Sequence, residues 1–213
     1  MRAILVGANL GKDSAFKKVL RELRLNPTDL RVAVDGGIEA WKSFGLEPHF
    51  AIGDWDSLKS RSLLKGLTYL TLPTRKDRSD LSYACHAAAY LGADELVCVG
   101  VTGGRADHHL ASLLELSQAD LPLRAPIRAI DAQAETIFLS ENSSAWRRKG
   151  LRGQLVSVFA LGGAARGVTL SGLEYSLRNA KLEPSSLGLS NVARGGEVRV
   201  SLKRGRLVIV LPR

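Results

Sequence analysis

The stretch Ala51-Ile52-Gly53-Asp54-Trp55-Asp56-Ser57 (AIGDWDS) puts two carboxylates one residue apart, just past a short apolar run, in a chain that is basic overall. In extended backbone, residues i and i+2 point the same way, roughly 7 Å apart, so each acid makes the other harder to ionise. A shared cation removes that cost; so does water on an exposed turn. The apolar run places both acids at the carboxyl end of a strand, and the first half of the chain repeats that arrangement. Residues 3–7, 31–35, 50–53, 67–72 and 96–101 read as strands buried on both faces. Residues 14–25, 37–44, 58–65, 79–91 and 107–117 read as helices between them. Leu81, Ala84, Cys85, Ala88 and Leu91 share one helical face, as do Leu110, Leu113, Leu114 and Ser117. This alternation predicts an α/β domain over residues 1–127, a Rossmann-like, mostly parallel sheet with flanking helices.

After Pro126 the period changes. Residues 136–139, 154–160, 167–170, 197–202 and 206–211 are short strand-like runs with no convincing helix between them. They predict an antiparallel β-sandwich or barrel-like domain over residues 128–213. Lys203-Arg204-Gly205, between the last two runs, reads as a hairpin turn.

With 45% hydrophobic and 24% charged residues, the 213-residue chain has the composition of a globular protein and not of a disordered one. No apolar run is long enough for a membrane span. The amino terminus reads as a first strand and not as a signal peptide. Cys85 and Cys98 lack any CxxC spacing, so they are expected to be reduced core residues of a cytoplasmic protein. The net charge of +9 is uneven: 16 basic residues face 15 acidic ones in residues 1–127, but 14 face 6 in residues 128–213. A soluble basic surface accounts for this, and so does an anionic partner. No zinc-finger, RNA-recognition or basic-zipper pattern accompanies the charge, so no specific nucleic acid is expected.

In a parallel α/β sheet, ligands bind at the carboxyl ends of the strands. Four consecutive strand ends here carry Asp35, Asp54, Asp56, Asp77, Asp80 and Asp107, six aspartates and no glutamate. Each has an ordinary reading: Asp80 and Asp107 begin helices, and Asp35 precedes Gly36-Gly37 in a turn. Together they repel unless something positive sits among them. Arg75, Lys76 and Arg105 supply part of it, and short, hard oxygen ligands suit Mg²⁺. Gly36-Gly37 and Gly103-Gly104 allow backbone amides close to a phosphate. Acids for a metal beside bases and amides for phosphates are the equipment of phosphoryl-type transfer. The usual nucleotide fingerprints are absent. Gly7-Ala8-Asn9-Leu10-Gly11-Lys12-Asp13 imitates a P-loop but is one residue short, with Asp where Ser or Thr is needed, and no GxGxxG follows a strand. His108 and His109 diverge on a helix, and His49 and His86 have no metal-spaced partner.

The ordered series DGG (35–37), GDWDS (53–57), KDRSD (76–80), GGRADH (103–108), SGLEYSL (171–177) and LSNVA (189–193) resembles that of thiamine pyrophosphokinases. The resemblance covers most of the chain, from Asp35 to Asn191. It implies transfer of the terminal diphosphate of ATP to the hydroxyl of thiamine, giving thiamine diphosphate and AMP. It further implies Asp54, Asp56 and Asp80 as catalytic acids, with Mg²⁺ held by Asp54, Asp56, Asp77 and Asp80. ATP falls to Asp35, Gly36, Gly37, Lys76, Arg105 and Asp107, and thiamine to Asp107, Ser190 and Asn191. Also implied is a homodimer whose active site lies between the α/β domain of one subunit and the β domain of the other. The chain departs from the family in Ser79 for the commoner Thr, Trp55 for Phe or Leu, and no tryptophan after Asn191. Trp55 is read as packing. Two alternatives stay open: a diphosphokinase of another small alcohol such as a hydroxymethylpterin, and a non-catalytic nucleotide or thiamine sensor.

Overall fold

The structure, a computed structural model, describes residues 1–9 and 13–213, of which 13–16 by their backbone alone. Leu10, Gly11 and Lys12, the centre of the P-loop-like stretch, lie outside the described residues, as do the first side chains of the helix expected at 14–25. The chain forms two compact units: Met1–Leu113 with Ala129–Ala132, and Leu114–Arg128 with Gln133–Arg213.

In the first unit, β1 (Arg2–Val6), β2 (Leu30–Val34), β3 (Phe50–Gly53), β4 (Tyr69–Thr71) and β5 (Glu95–Val99) lie in the order β5-β1-β2-β3-β4, every pair parallel. The helices are α1 (Asp13–Leu23), α2 (Gly37–Ser43), α3 (Asp80–Tyr90) and the start of α4 (Ala106–Gln118), whose residues from Leu114 on belong to the second unit. Strand side chains alternate between faces. Ile4, Val6, Ala33, Ala51, Val97 and Val99 therefore pack with Val19 and Leu20 of α1 and Ile38 and Trp41 of α2. The opposite face takes α3, which buries Leu81, Ala84, Cys85 and Ala88 and lies against β1, β2 and β3. The strand after α4, β6 (Ile127–Ile130), spans the domain boundary expected at 127/128.

Several expectations for this unit are corrected. Residues 58–65 form only a 3₁₀ turn, Arg61–Leu64, because the Ser60 hydroxyl caps its start and Gly66 follows in a left-handed conformation. The run at 67–72 is not buried on both faces. β4 is the edge strand and all three of its residues are exposed. Leu91, Leu110 and Leu114 are likewise exposed despite their helical period.

The second unit holds two antiparallel sheets. One comprises β7 (Ala134–Leu139), β9 (Leu155–Ala160), β12 (Asn191–Val192) and β14 (Leu207–Pro212), in the order β12-β9-β14-β7. The other comprises β8 (Ala145–Lys149), β10 (Ala165–Ser171), β11 (Leu177–Leu182) and β13 (Glu197–Ser201), in the order β11-β10-β13-β8. Residues from both sheets share one core, including Ile137, Val158, Leu207 and Ile209 from the first and Val168, Leu170, Val198 and Val200 from the second. This is a sandwich. Lys203-Arg204-Gly205 does not close a hairpin. β13 and β14 belong to different sheets, and the main chain of Arg204 bonds back to Arg166 in β10 (2.8 and 3.1 Å). Part of the basic charge is spent internally. Glu135 is held by Arg128 and by both terminal nitrogens of Arg148 at 2.7 Å, and Arg148 also lies over the Trp146 ring. Burial opposes the charge on Glu135, but the two guanidinium groups hold its carboxyl below the ordinary range.

The start of α2 presses onto the end of β1 so closely that a Cβ on Gly37 would lie 1.8 Å from the Val6 carbonyl oxygen. Gly37→Ala is therefore expected to destabilise the fold by about 2–3 kcal/mol. Gly45→Ala, left-handed but with nothing within 4 Å of a Cβ, should cost about 1 kcal/mol. Urea unfolding checks this, and equal midpoints for the two variants would refute the packing role.

Candidate active site

The carboxyl ends of β2 and β3 are drawn together by contacts that only small or unusual residues allow. Asp35 leaves β2 in a left-handed conformation (φ 48°), its N–H donating to the Ile52 carbonyl at 2.8 Å. A Cβ on Gly53 would lie 2.8 Å from the Asp35 Cα, so glycine lets the end of β3 run directly against it. Trp55 follows with φ 66°, its ring buried in the core, donating through Nε1–H to Thr71 Oγ1 (2.8 Å) and packing edge-on against Tyr69. Trp55 packs, as expected. Its left-handed turn also corrects the extended geometry read from the sequence, for the chain folds at Trp55 instead of running straight from Asp54 to Asp56.

The turn brings carboxylate oxygens of Asp35, Asp54 and Asp56 within 4.8 Å of one another. The Ser57 hydroxyl donates to Asp35 Oδ2, while Asp35 Oδ1 is buried without a hydrogen-bond partner. From the loop after β4, Lys76 enters with 9% of its side chain exposed. Its Nζ donates to Asp54 Oδ2 (2.9 Å) and stands 3.1 Å from Asp80 Oδ1, an ion-pair distance without the alignment of a hydrogen bond. Asp80 opens α3, where Ser79 caps the helix by accepting from the Ser82 N–H.

The electrostatics divide these acids. Burial opposes ionisation of Asp54, but the hydrogen bond from Lys76 and the Asp56 N–H outweigh it and hold the carboxyl below the usual range. Asp56 is raised, first by the charge of Asp54 and then by burial and Asp35. Asp80 is raised by burial, which Lys76 only partly offsets. Three close carboxylates, one with an orphaned buried oxygen and one held above its ordinary range, fit a divalent cation that prefers oxygen ligands. Asp35, expected on the nucleotide side, thus stands in the acid cluster. Asp77 is exposed and is not among the three clustered acids.

Gly36 and Gly37 begin α2, and a Cβ on Gly36 would lie 3.1 Å from Ser57 Oγ. The other glycine pair lies after β5, two strands from β2, or about 10 Å at ordinary strand spacing. Gly103 and Gly104 both have positive φ. Asn9 donates to the carbonyls of Thr102 (2.9 Å) and Gly103, and Gly103 N–H donates to His109 Nδ1 (2.8 Å). Buried Thr102 donates through Oγ1–H to Asp131 Oδ2 at 2.6 Å. Asn9, Ser57, His109 and Asp131 were not singled out from the sequence. Ser57 and His109 stood inside or beside recognised motifs, but no spacing rule reveals a side chain that bonds a main-chain group. Arg105 and Asp107, both exposed, pair with each other (2.6 Å).

Ser190 and Asn191 belong to the second unit. Ser190 is exposed and left-handed, its N–H on Ser157 Oγ (3.0 Å). Asn191 is buried, with its carboxamide bonded to the main chain of Tyr175.

Residues 22–126 match the family model of the thiamin pyrophosphokinase catalytic domain, and residues 145–207 that of the thiamin pyrophosphokinase vitamin B1 binding domain. A thiamine pyrophosphokinase of Bacillus subtilis (strain 168) is 28% identical over 186 residues, covering 85% of this chain and 86% of the relative. The crystal structure of thiamine pyrophosphokinase from Bacillus subtilis superposes with a TM-score of 0.82 at 25% identity, over 100% of this chain and 99% of that one. Thiamin pyrophosphokinase from Candida albicans shares the fold with a TM-score of 0.75 at 14% identity, over 100% of this chain and 89% of that one.

Because the folded-state pKa of Asp56 lies above its unfolded value, its charge opposes folding above the ordinary carboxylate range and has no effect well below it. Asp56→Asn should raise the melting temperature of the metal-free protein by about 1–2 °C at neutral pH and low salt. The gain should fade as the pH falls through the carboxylate range. Mg²⁺ should raise the wild-type melting temperature more than that of Asp56→Asn. Equal stabilisation of both by Mg²⁺, or an Asp56→Asn protein less stable at neutral pH, would contradict the shared-cation reading.

Proposed function

The chain belongs to the thiamin pyrophosphokinase family, and on that premise we infer that it is a thiamine diphosphokinase, transferring the diphosphate of ATP to the hydroxyl of thiamine and releasing AMP. The observation that carries the reading is the convergence of Asp35, Asp54, Asp56 and Asp80 around Lys76, in a chain matched by both halves of one enzyme family. The hydroxyl oxygen of thiamine bonds to the β-phosphorus of ATP as the bond from that phosphorus to the α,β-bridging oxygen breaks. AMP leaves with the electron pair, and the hydroxyl proton passes to a carboxylate or to water.

A bound Mg²⁺ would be held by Asp35, Asp54 and Asp56, and would offset charge on the phosphate oxygens. Asp80 lies outside that trio, and its raised carboxyl makes it a better proton acceptor than an ordinary aspartate. Lys76, fixed by two carboxylates, keeps its charge and directs it at the site. Arg105 ends a loop whose Thr102–Gly103 turn is tied by Asn9 and His109, and Asp107 stands in the first turn of α4 that follows; both are exposed, which suits them to meet the nucleotide phosphates and the alcohol. We further propose a homodimer, with thiamine bound by the second unit. A cytoplasmic location suits the two buried cysteines, neither of them in a disulfide, and among the described residues no helix is long and apolar enough to cross a membrane.

Incubation with Mg·ATP and a panel of thiamine and pterin alcohols, with products identified by mass, should give AMP and thiamine diphosphate in equal amounts. Asp54→Asn and Asp80→Asn should each lower kcat by at least about 100-fold in folded protein. Diphosphate transfer to a pterin alcohol in preference to thiamine would overturn the substrate, and near wild-type turnover in either variant would remove that carboxylate from the mechanism.

A further inference from the structure

Asp35, which follows β2, is held by its side chain as well as by its backbone. The Ser57 hydroxyl, from the loop after β3, donates to Asp35 Oδ2. Two local features make that contact. Trp55 turns left-handed (φ 66°), so the chain folds back after Asp54 instead of running on from β3. Gly36 then leaves the hydroxyl room, since a Cβ there would lie 3.1 Å from Ser57 Oγ and 3.0 Å from the Ala8 Cβ. With Oδ2 engaged, Asp35 Oδ1 stays buried without a hydrogen-bond partner. A buried carboxylate oxygen left unpaired is unfavourable, more so than a neutral group in the same position. Here the neighbours make it worse. Carboxylate oxygens of Asp54 and Asp56 lie within 4.8 Å of one from Asp35, and the Asp35 charge helps to hold the Asp56 carboxyl above its ordinary range. The ammonium of Lys76 is engaged by Asp54 and Asp80.

We propose that Ser57 is a positioning residue for the cation site: its hydroxyl takes one oxygen of Asp35 and leaves the other, Oδ1, to the divalent ion. This deepens the functional reading above, on which the assignment of Asp35 to the cation rests. A bond to one oxygen fixes the plane of the carboxylate before the ion arrives. Hydrogen-bond partners of ligating carboxylates commonly carry about ten- to a hundredfold of metal affinity. A hydroxyl also suits the task by its charge. It donates to Asp35 and leaves the full negative charge in place, whereas a lysine or arginine there would neutralise the acid and repel the ion.

The test uses Mn²⁺ as the probe, an ion that carboxylates bind well and whose unbound fraction is read from its paramagnetic resonance signal without turnover. In the nucleotide-free protein, Ser57→Ala should weaken Mn²⁺ binding about tenfold. Ser57→Thr keeps the hydroxyl at an exposed position and should bind within about threefold of the wild type. Asp35→Asn should weaken binding at least as much as Ser57→Ala, and Ser57→Ala should add nothing to it, because the serine acts through that carboxylate. In turnover, the Mg²⁺ concentration for half-maximal rate should rise about tenfold in Ser57→Ala, with the KM for thiamine within about twofold. Wild-type Mn²⁺ affinity in Ser57→Ala, whatever its melting temperature, would mark the bond as structural only and overturn the inference. So would a further tenfold loss on top of Asp35→Asn, or a Ser57→Thr protein as weak as Ser57→Ala. A protein whose Mn²⁺ binding depends on Ser57 in this way, but which transfers diphosphate to another alcohol and not to thiamine, would overturn the functional reading and uphold the role of Ser57.

Discussion

The ammonium of Lys76, nearly buried between Asp54 and Asp80, is the contact on which the catalytic end of the first unit depends. Four aspartates converge there. One lysine cannot balance them, and the imbalance shows in the opposite shifts of Asp54, held low, and of Asp56 and Asp80, held high. On the proposed function, the protein carries this residual repulsion because the same carboxylates would receive a cation and a polyphosphate. Activity and stability pull apart at such a place.

The backbone bears part of the same cost. Asp35 and Trp55 both adopt left-handed conformations, which non-glycine residues avoid, and they follow the ends of the neighbouring strands β2 and β3. The buried Trp55 ring holds the second of these turns in place, through the core around it and its bond to Thr71. A buried, packed side chain thus stands between two acids. It fixes where the acids on either side of it stand.

Much of this was legible in the sequence, because both the strand–helix alternation and the placing of acids at strand ends follow from local pattern. β3 matches its expected span, and Asp54, Asp56 and Asp80 stand where strand-end logic puts them. What stayed hidden depended on long-range partners. The i, i+2 spacing of Asp54 and Asp56 suggests an extended pair, and nothing local signals that Trp55 turns left-handed. The Lys203–Gly205 turn has hairpin chemistry, but whether its flanking strands pair or part is decided by β7, β9, β8 and β10, which come from elsewhere in the chain. The run 67–72 reads as a buried strand, yet its place at the sheet edge is a matter of topology and not of composition. Asn9 and His109 act on main-chain groups of a loop far along the sequence or one turn away, and no motif encodes that.

The two units divide the recognition problem by the physics of the two ligands. Diphosphate transfer concerns hard anions, and the first unit answers with short carboxylates, a buried ammonium and tightly tied glycine loops. The acceptor alcohol sits on a soft, delocalised cation, which carboxylate clusters bind poorly in water, where its charge is spread over a ring. In the second unit a buried amide, that of Asn191, commits its hydrogen bonds to fixing the main chain at Tyr175 and Val192. Asn191 therefore gains its importance from what it fixes. The bonds it makes are all to main chain, at Tyr175 and at Val192.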